Sequence, residues 1–477
     1  MAKNQQQKVH AIMIPYPFQG HVIPFVHLAM KLASRGFTIT FVNTHVVHQQ
    51  ISQAQTNMTS AHDIFDEARK SGLDIRYATV SDGLPLDLDR SLNHDQHQES
   101  LLQASGSHVD QLIGKLVAEN ADAPVTCLIA DTFFVWPSLI AKKYNLVYVS
   151  FWTEPALVFT LYYHLDLLKQ NGHFASKDNR RDTIDYIPGV EAIEPRDLMS
   201  YLQATDITTV LHRIIDKAFA DVKKADFVIC NTVQELEQDT LSALNQKQPV
   251  YAIGPILAND FAKTKIAMSL WSESDCSQWL NTKANGSVLY VSFGSYAHVS
   301  KHDIVEIAHG LLLSGVNFVW VLRPDIVSSD DTDILPEKFE ENARQKGLIV
   351  PWCHQIAVLS HPAIGGFLTH CGWNSIMESI WCGIPLICFP ILTDQFTNRK
   401  LVVHDWKLGI NLCNEKTISR EQVSKNIAGL MCDEILNTKL MNEMKKVRRT
   451  LENATDGSSD KNFEDFINAV KVNIVSR

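Results

Sequence analysis

Residues 352–395 read WCHQIAVLSHPAIGGFLTHCGWNSIMESIWCGIPLICFPILTDQ, and this stretch carries the strongest fold signal in the chain. Residues 364–368 form a short apolar run that contains glycines, which predicts a buried parallel strand. Residues 369–372 follow as a turn, and a helix is predicted from Trp373 or Asn374 to about Trp381. A strand, a turn and a helix in this order are the repeating unit of an α/β sheet.

The turn of this unit is suited to bind an anion. Free backbone N–H groups and the positive end of the helix would face it. His370, Asn374 and Ser375 add side-chain hydrogen-bond donors, and Gly372 lets the backbone approach the anion closely. We therefore predict that a diphosphate binds here. As an alternative, Ser375 and Glu378 have the spacing of a capping box, in which both side chains only satisfy the first N–H groups of the helix.

Strand-like and helix-like segments alternate along most of the chain. Residues 9–14 predict a strand, residues 22–35 an amphipathic helix and residues 37–42 the next strand. Further strands are predicted at residues 125–130, 146–151, 227–230, 288–293, 318–322 and 386–389, and a helix at residues 303–313. This alternation predicts two doubly wound parallel sheets, with a linker after Pro255.

Length and composition limit the class of protein. A chain of 477 residues exceeds what one core usually supports, and a net charge of −10 argues against a nucleic-acid partner. The N-terminus shows no secretory signal, no apolar run reaches membrane-span length, and the nine cysteines form no Cys-x-x-Cys. These features favour a cytoplasmic protein without stable membrane insertion. The pair His94 and His97 is predicted to lie in a surface loop and not to bind a metal.

Residues 352–395 resemble the donor-binding signature of plant family 1 UDP-glycosyltransferases. The resemblance implies the GT-B fold: residues 1–254 would bind the acceptor, residues 255–454 would bind the UDP-sugar, and a helix at about residues 455–477 would return to the first domain. It also implies that Trp352 stacks on uracil, Glu378 holds the ribose, and Asp394 and Gln395 hold the sugar, with glucose preferred. The implied donor-binding residues in this signature are Trp352, Cys353, Gln355, His370, Gly372, Trp373, Asn374, Ser375, Glu378, Asp394 and Gln395.

A candidate general base lies just after the first predicted strand. His21 follows residues 15–20, and Asp131 ends the apolar strand at residues 125–130. Both should therefore lie at the carboxyl edge of one sheet, where α/β proteins bind ligands. A carboxylate fixes the tautomer of a neighbouring imidazole and stabilises the imidazolium that forms when it takes a proton. The resemblance implies these two roles, although a lone histidine in a Gly-His turn is more often structural.

The departing UDP needs hydrogen-bond donors. The resemblance adds Ser295, in the turn at residues 292–295, to the donors at residues 370–375, and Thr153 is a candidate for a hydrogen bond to the sugar. We expect these groups to replace a divalent cation, so that neither a metal nor a cofactor is required besides the UDP-glucose co-substrate. Because no second nucleophile is needed, we expect direct displacement with inversion at the anomeric carbon.

The acceptor pocket is expected in the first domain. Apolar residues cluster on the segments near His21, Asp131 and Thr153, which suggests an apolar acceptor such as a phenolic, a flavonoid or a terpenoid alcohol. Leu392 replaces a bulkier aromatic that many relatives carry, and could widen the cleft. The candidate acceptor residues are Phe18, Phe133, Phe134, Trp136, Trp152, Leu157, Leu202 and Leu392.

Three functions from different classes remain open at this point. The leading prediction is a monomeric, inverting UDP-glucosyltransferase that forms a β-glucoside on a small apolar plant metabolite. A second is another GT-B enzyme that acts on UDP-sugars, such as a hydrolase or an epimerase. The third is a non-catalytic nucleotide-sugar-binding protein, and the presence of both His21 and Asp131 counts against it.

Overall fold

A computed structural model describes residues 8–54, 63–119, 124–176, 180–256, 269–327, 334–413 and 417–477. Most of the linker predicted after Pro255, at residues 257–268, lies outside these ranges. No helix among the described residues combines the length and the hydropathy that a membrane crossing requires.

The first half of the chain builds a parallel sheet of seven strands in the order β3-β2-β1-β4-β5-β6-β7. Buried, mostly apolar residues form the central strands, which have helices on both faces and therefore expose neither face to water. This confirms the predicted doubly wound sheet. The strands are β1 His10–Ile14, β2 Thr38–Thr44, β3 Ile75–Val80, β4 Cys127–Asp131, β5 Val147–Trp152, β6 Phe227–Cys230 and β7 Val250–Ala252.

Eleven helices are described between these strands. Short 3-10 turns also lie at Pro195–Asp197 and Gln234–Leu236. The helices are α1 Gln19–Ser34, α2 His45–Ala54, α3 Asp66–Lys70, α4 His94–Gln103, α5 Ser105–Glu119, α6 Pro137–Lys143, α7 Ala156–Tyr163, α8 Leu165–Gln170, α9 Ser200–Gln203, α10 Val210–Val222 and α11 Gln238–Asn245.

The second half builds a parallel sheet of six strands in the order β10-β9-β8-β11-β12-β13. The predicted strand at residues 364–368 is its central strand β11, which pairs with β8 and β12. The strands are β8 Val288–Ser292, β9 Asn317–Val321, β10 Gly347–Val350, β11 Ile364–Thr369, β12 Leu386–Cys388 and β13 Gly409–Asn411.

The helices of the second half surround this sheet, and a π-helical turn lies at Leu401–Asp405. They are α12 Ser277–Leu280, α13 Lys301–Ser314, α14 Phe339–Ala343, α15 Gln355–Leu359, α16 Trp373–Cys382, α17 Gln395–Lys400, α18 Arg420–Cys432, α19 Glu434–Thr455 and α20 Ser458–Ser476.

The last helix, α20, packs against the first sheet although it follows the second in sequence. The ring of Phe466 lies 6.2 Å from that of Phe227 and 5.8 Å from that of Tyr251. On the surface, Arg35 of α1 forms a 2.8 Å ion pair with Asp460 of α20. Phe466 is fully buried, and an apolar side chain in such a position typically contributes about 1.5–3 kcal/mol. The end of the chain thus covers the sheet with which it begins.

Candidate active site

A cleft with a volume of about 340 Å³ lies between the two sheets. Loops and helix ends that follow parallel strands form much of its wall, as expected for ligand sites in α/β proteins. Its lining residues from the first half include Tyr16, Phe18, His21, Gln98, Phe133, Thr153, Glu154, Tyr162, Tyr201, Leu211, Ile214 and Ile215. Its lining residues from the second half include Ser295, Tyr296, Trp352, Cys353, Gln355, His370, Gly372, Trp373, Asn374, Ser375, Glu378, Asp394 and Gln395.

His21 and Asp131 meet on the first-half side of this cleft. His21 lies in the first turn of α1 and Asp131 is the last residue of β4. The distance from His21 Nδ1 to Asp131 Oδ2 is 2.7 Å, and Thr153 Oγ1 lies 3.2 Å from the same nitrogen. Asp131 is 1 % exposed, and its Oδ1 accepts a 3.0 Å hydrogen bond from the backbone N–H of Phe133. With its proton on Nδ1, the imidazole donates a hydrogen bond to the Asp131 carboxylate, and Nε2 is then the basic atom.

The turn at residues 370–372, between β11 and α16, faces this pair across the cleft. Helix α16 begins at Trp373 with Gly372 as its N-cap residue, and no side chain caps it. The capping-box alternative for Ser375 and Glu378 is therefore wrong. Instead, Gln355 Nε2 donates to Ser375 Oγ at 3.0 Å and to Glu378 Oε2 at 2.7 Å.

Glu378 is a half-buried carboxyl at the edge of the cleft. Burial raises its pKa to about 7, and the hydrogen bond from Gln355 opposes part of this increase. Gln355 itself accepts a 3.3 Å hydrogen bond at Oε1 from the hydroxyl of Tyr290. The amide of Gln355 is thus fixed at both ends, and it orients the Glu378 carboxyl toward the cleft.

His370 fills the space between two glycines. A Cβ atom at either Gly294 or Gly372 would lie 2.5 Å from His370 Nε2, which is closer than a Cβ atom comes to another non-bonded heavy atom in proteins. Gly294 also has a φ of +73°, which favours glycine. Burial, and secondarily the positive charge of Arg323, lower the pKa of His370 to about 4. The imidazole is therefore neutral near pH 7 and offers one N–H donor.

Trp352 forms part of the cleft wall in the second half. The residue is 9 % exposed, and its ring lies beside that of Trp271, with centroids 6.1 Å apart and an angle of 27° between the planes. Ser274 and Cys353 form an isolated parallel bridge next to it, in which the N–H of Ser274 donates to the carbonyl of Trp352 at 2.9 Å. These contacts hold the indole in one orientation at the cleft.

The loop before α17 places two polar side chains in the cleft. Gln395 Oε1 accepts hydrogen bonds from the N–H groups of Ile391 at 2.9 Å and Leu392 at 3.0 Å, which leaves its NH₂ group as the free donor. Asp394 accepts from the hydroxyl of Thr393 at 2.6 Å and from Asn398, and burial raises its pKa. The pattern of a donor beside a carboxylate is suited to bind vicinal hydroxyl groups.

Comparison with known proteins identifies the family. The model of the family described as "UDP-glucoronosyl and UDP-glucosyl transferase" matches residues 196–448, and a glycosyltransferase N-terminal domain matches residues 7–118. UDP-glycosyltransferase 86A1 of Arabidopsis thaliana is 62 % identical over 484 residues, which cover 100 % of this chain and 97 % of the relative. The 7-deoxyloganetin glucosyltransferase of Catharanthus roseus is 34 % identical, with 98 % of each chain covered.

Solved structures agree with this assignment. A UDP-glucose: anthocyanidin 3-O-glucosyltransferase in complex with UDP has a TM-score of 0.82 and 27 % identity, with 99 % of this chain and 100 % of that chain covered. UGT2 of Phytolacca americana, in complex with UDP-2fluoro-glucose and pterostilbene, has a TM-score of 0.76 and 25 % identity, with 96 % and 98 % covered. The chain belongs to the plant family 1 UDP-glycosyltransferases. The predicted family, enzyme class and GT-B fold are confirmed.

All thirteen residues predicted to bind the donor in this UDP-glycosyltransferase line the cleft. Of the predicted acceptor residues, only Phe18 and Phe133 do so. Trp152 is 1 % exposed, and its Nε1 donates to the carbonyl of Pro155 inside the core. The six residues that do not line the cleft are Phe134, Trp136, Trp152, Leu157, Leu202 and Leu392; all but the half-buried Leu392 pack in apolar cores.

Sequence reasoning missed most of the first-half wall. Tyr16 and Gln98 are joined by a 2.6 Å hydrogen bond between the tyrosine hydroxyl and Gln98 Oε1. The apolar periodicity of residues 210–222 predicts a helix, but it does not show that one edge of that helix faces a ligand. The missed lining residues of this wall include Tyr16, Gln98, Glu154, Tyr162, Tyr201, Leu211, Ile214 and Ile215.

The surface loop predicted for His94 and His97 is wrong, because both residues belong to helix α4. His97 is 2 % exposed, its ring lies 5.7 Å from that of Phe18, and its Nε2 lies 3.6 Å from Asp82. Burial lowers the pKa of His97 to about 4. The helix turns this side chain inward beneath the cleft wall, where it serves packing.

Proposed function

We propose that this UDP-glycosyltransferase transfers glucose from UDP-glucose to a hydroxyl group of a small, largely apolar plant metabolite, with inversion to a β-glucoside. The observation that carries the proposal is the hydrogen-bonded pair of His21 and Asp131 facing the anion-binding turn of α16 across one cleft. A base for the acceptor and donors for the departing UDP are the two requirements of this reaction.

His21 acts in this proposal as the general base. The acceptor hydroxyl gives its proton to Nε2 while its oxygen forms a bond to the anomeric carbon, and the bond from that carbon to the UDP oxygen breaks. Asp131 accepts the Nδ1–H hydrogen bond and stabilises the imidazolium as it forms. A base of this kind typically contributes about 10²–10⁴ in rate. Attack opposite the leaving group inverts the anomeric carbon.

The second half binds the donor. The free N–H groups at the start of α16 and the neutral imidazole of His370 would bind the diphosphate, with Ser295 beside them. Trp352 would stack on uracil, and the Glu378 carboxyl would accept from the ribose hydroxyls. We propose that these groups do not need a metal ion.

Glucose is the proposed sugar because a glutamine at the end of the donor-binding signature tends to accompany UDP-glucose in this family, and the Gln395 amide lies beside the Asp394 carboxyl in the cleft. The names of two relatives, the 7-deoxyloganetin glucosyltransferase and the UDP-glucose: anthocyanidin 3-O-glucosyltransferase, support the same choice. On the acceptor side, Phe133, Ile214 and Ile215 give the cleft an apolar wall. An acceptor with a substantial apolar surface is therefore proposed. A monomeric state and a cytoplasmic location stay predictions of the sequence.

The test is product analysis by mass spectrometry. Purified protein is incubated with UDP-glucose and a panel of phenolics and terpenoid alcohols, with and without EDTA. We expect an acceptor that gains one hexose equally in both conditions, and we expect no product with His21→Ala. UDP release without a glycosylated product would instead indicate a hydrolase. UDP-glucose binding without turnover across a broad panel would indicate a binding protein.

A further inference from the structure

Glu154 is a carboxyl of the cleft to which the reaction described above gives no role. It follows Thr153, whose hydroxyl lies 3.2 Å from His21 Nδ1, and it lines the cleft. Its backbone carbonyl accepts a hydrogen bond from Cys230 Sγ at 3.3 Å, which fixes the main chain at this point. The side chain therefore belongs to the same rigid edge as the candidate base.

One of the two carboxyl oxygens of Glu154 lacks a hydrogen-bond partner among the described residues. Its Oε2 atom is buried, and no hydrogen-bond partner lies within reach of it in the part of the chain that the structure describes. An unsatisfied buried polar atom destabilises the folded state, and a ligand with a matching group can supply the missing hydrogen bond. The neighbouring carboxyls differ, because Asp131 is paired with His21 and Asp394 accepts from Thr393 and Asn398.

The surroundings of Glu154 favour a neutral carboxylic acid. Burial, followed by the negative charges of Asp394 and Asp131, raises the pKa of Glu154 well above its usual range. Tyr162 and Tyr201 line the same cleft; burial raises the pKa of both hydroxyls, and the Glu154 carboxyl adds to the increase. A protonated carboxyl and two phenols present O–H donors in this part of the cleft.

We propose that Glu154, with Tyr162 and Tyr201, forms an acceptor subsite that binds a second oxygen atom of the acceptor, separate from the oxygen that is glycosylated. The subsite selects an uncharged carbonyl or hydroxyl oxygen and rejects a carboxylate. The described residues that line the cleft include no lysine or arginine to neutralise such an anion. The inference rests on the proposed function, since it assumes that the acceptor enters from the His21 side.

Three matched phenols probe the subsite: 4-ethylphenol, 4-hydroxyacetophenone and 4-hydroxybenzoate, each with its 3-substituted isomer. Their binding is measured by calorimetry in the presence of UDP, and their glucosylation is measured separately. For wild type we expect the ketone to bind at least about fivefold more tightly than the ethyl compound in one isomer series, the effect of one neutral hydrogen bond. The carboxylate should bind most weakly.

Two variants separate hydrogen bonding from structure. Glu154→Gln keeps a neutral donor and should retain the preference for the ketone within about twofold, whereas Glu154→Leu should abolish it. Glu237→Gln is a matched control, because Glu237 is buried outside the cleft lining and accepts from the N–H groups of Ala156 and Leu157. It should leave the preference unchanged. The stoichiometry of UDP binding, measured by calorimetry for each variant, reports the folded fraction.

Equal binding of the ketone and the ethyl compound to wild type in both isomer series would overturn the subsite. The subsite would also be overturned if Glu154→Leu kept the preference for the ketone, weakened the binding of all three phenols equally, or had the same effect as Glu154→Gln. The proposed function fails separately. If binding shows the preference but no phenol or panel alcohol is glucosylated, the oxygen-binding subsite stands and the proposed transfer of glucose to such alcohols does not.

Discussion

The substitution Asp131→Asn tests how the candidate base is held. Each oxygen of Asp131 accepts one N–H: Oδ2 from His21 Nδ1 at 2.7 Å and Oδ1 from the backbone of Phe133 at 3.0 Å. Asparagine has a single oxygen acceptor, so its NH₂ group must face one of these two donors. Either the imidazole changes tautomer or the turn at Phe133 loses its hydrogen bond, and in both cases the imidazolium loses its anionic partner.

We expect the substitution to lower the catalytic rate and to leave donor binding nearly unchanged. General base catalysis typically contributes about 10²–10⁴, and Asp131→Asn should lower kcat by at least about 10², which corresponds to about 2.7 kcal/mol. His21→Ala should lower kcat by a similar or larger factor. Because both residues act as one unit, the double variant should be no slower than the slower single variant. UDP affinity should stay within about threefold of wild type for all three.

Initial rates at saturating UDP-glucose give kcat for each variant, and calorimetry gives the affinity for UDP. Asp221→Asn is the control for burial, because Asp221 is 3 % exposed, accepts from the N–H and hydroxyl of Ser138, and lies outside the cleft lining. It should lower the free energy of unfolding without changing the rate per folded molecule. The assignment is refuted if Asp131→Asn keeps kcat within threefold of wild type, or if the double variant falls by the product of the two single effects.

Three further substitutions test the donor side. Burial raises the pKa of Glu378 to about 7 from 4.5, so the folded state resists ionisation between these values and loses stability as pH rises through them. Glu378→Gln removes this effect. From pH 4 to pH 8, its free energy of unfolding in urea should therefore rise by about 3 kcal/mol relative to that of wild type, while its UDP affinity is lower. Equal pH dependence of the two proteins would contradict this. Gly372→Ala places a Cβ 2.5 Å from His370 Nε2 and should weaken UDP binding at least about tenfold by calorimetry. Gly294→Ala makes the same contact at a φ of +73°, and should in addition lower the melting temperature; unchanged UDP affinity in both would refute the role of His370.

The sheet architecture was predictable because buried parallel strands are short apolar runs separated by helical periodicity. The strands that the sequence did not reveal are β3, β7, β10 and β13, which are the four edge strands of the two sheets. Residues 76–79 of β3 are partly or fully exposed, and β7 and β13 are each three residues long. Short, half-exposed segments give little periodic signal, so they are difficult to detect from one sequence.

The site was predictable where its residues are neighbours in sequence. The turn, helix and loop of residues 352–395 form one face of the cleft from a continuous segment. The acceptor side is assembled from α4, α7, α9 and α10, whose relative positions depend on packing over long sequence separations. Aromatic content alone could not distinguish Phe133, which lines the cleft, from Trp152, which packs in the core.

The two halves of the site are joined by direct hydrogen bonds. Asn374 Nδ2 donates to the carbonyl of Gly20 at 2.9 Å, and Gly20 precedes His21. Trp373 Nε1 donates to the carbonyl of Asn231 at 2.7 Å, so two consecutive residues of α16 bind the first half. The helix start that would bind the diphosphate therefore also sets the distance to the base. The Asn374 amide has two N–H groups, and one remains for a ligand while the other holds Gly20. If Asn374 binds the donor as proposed, donor binding is coupled to the position of His21, the proposed base, because one amide serves both.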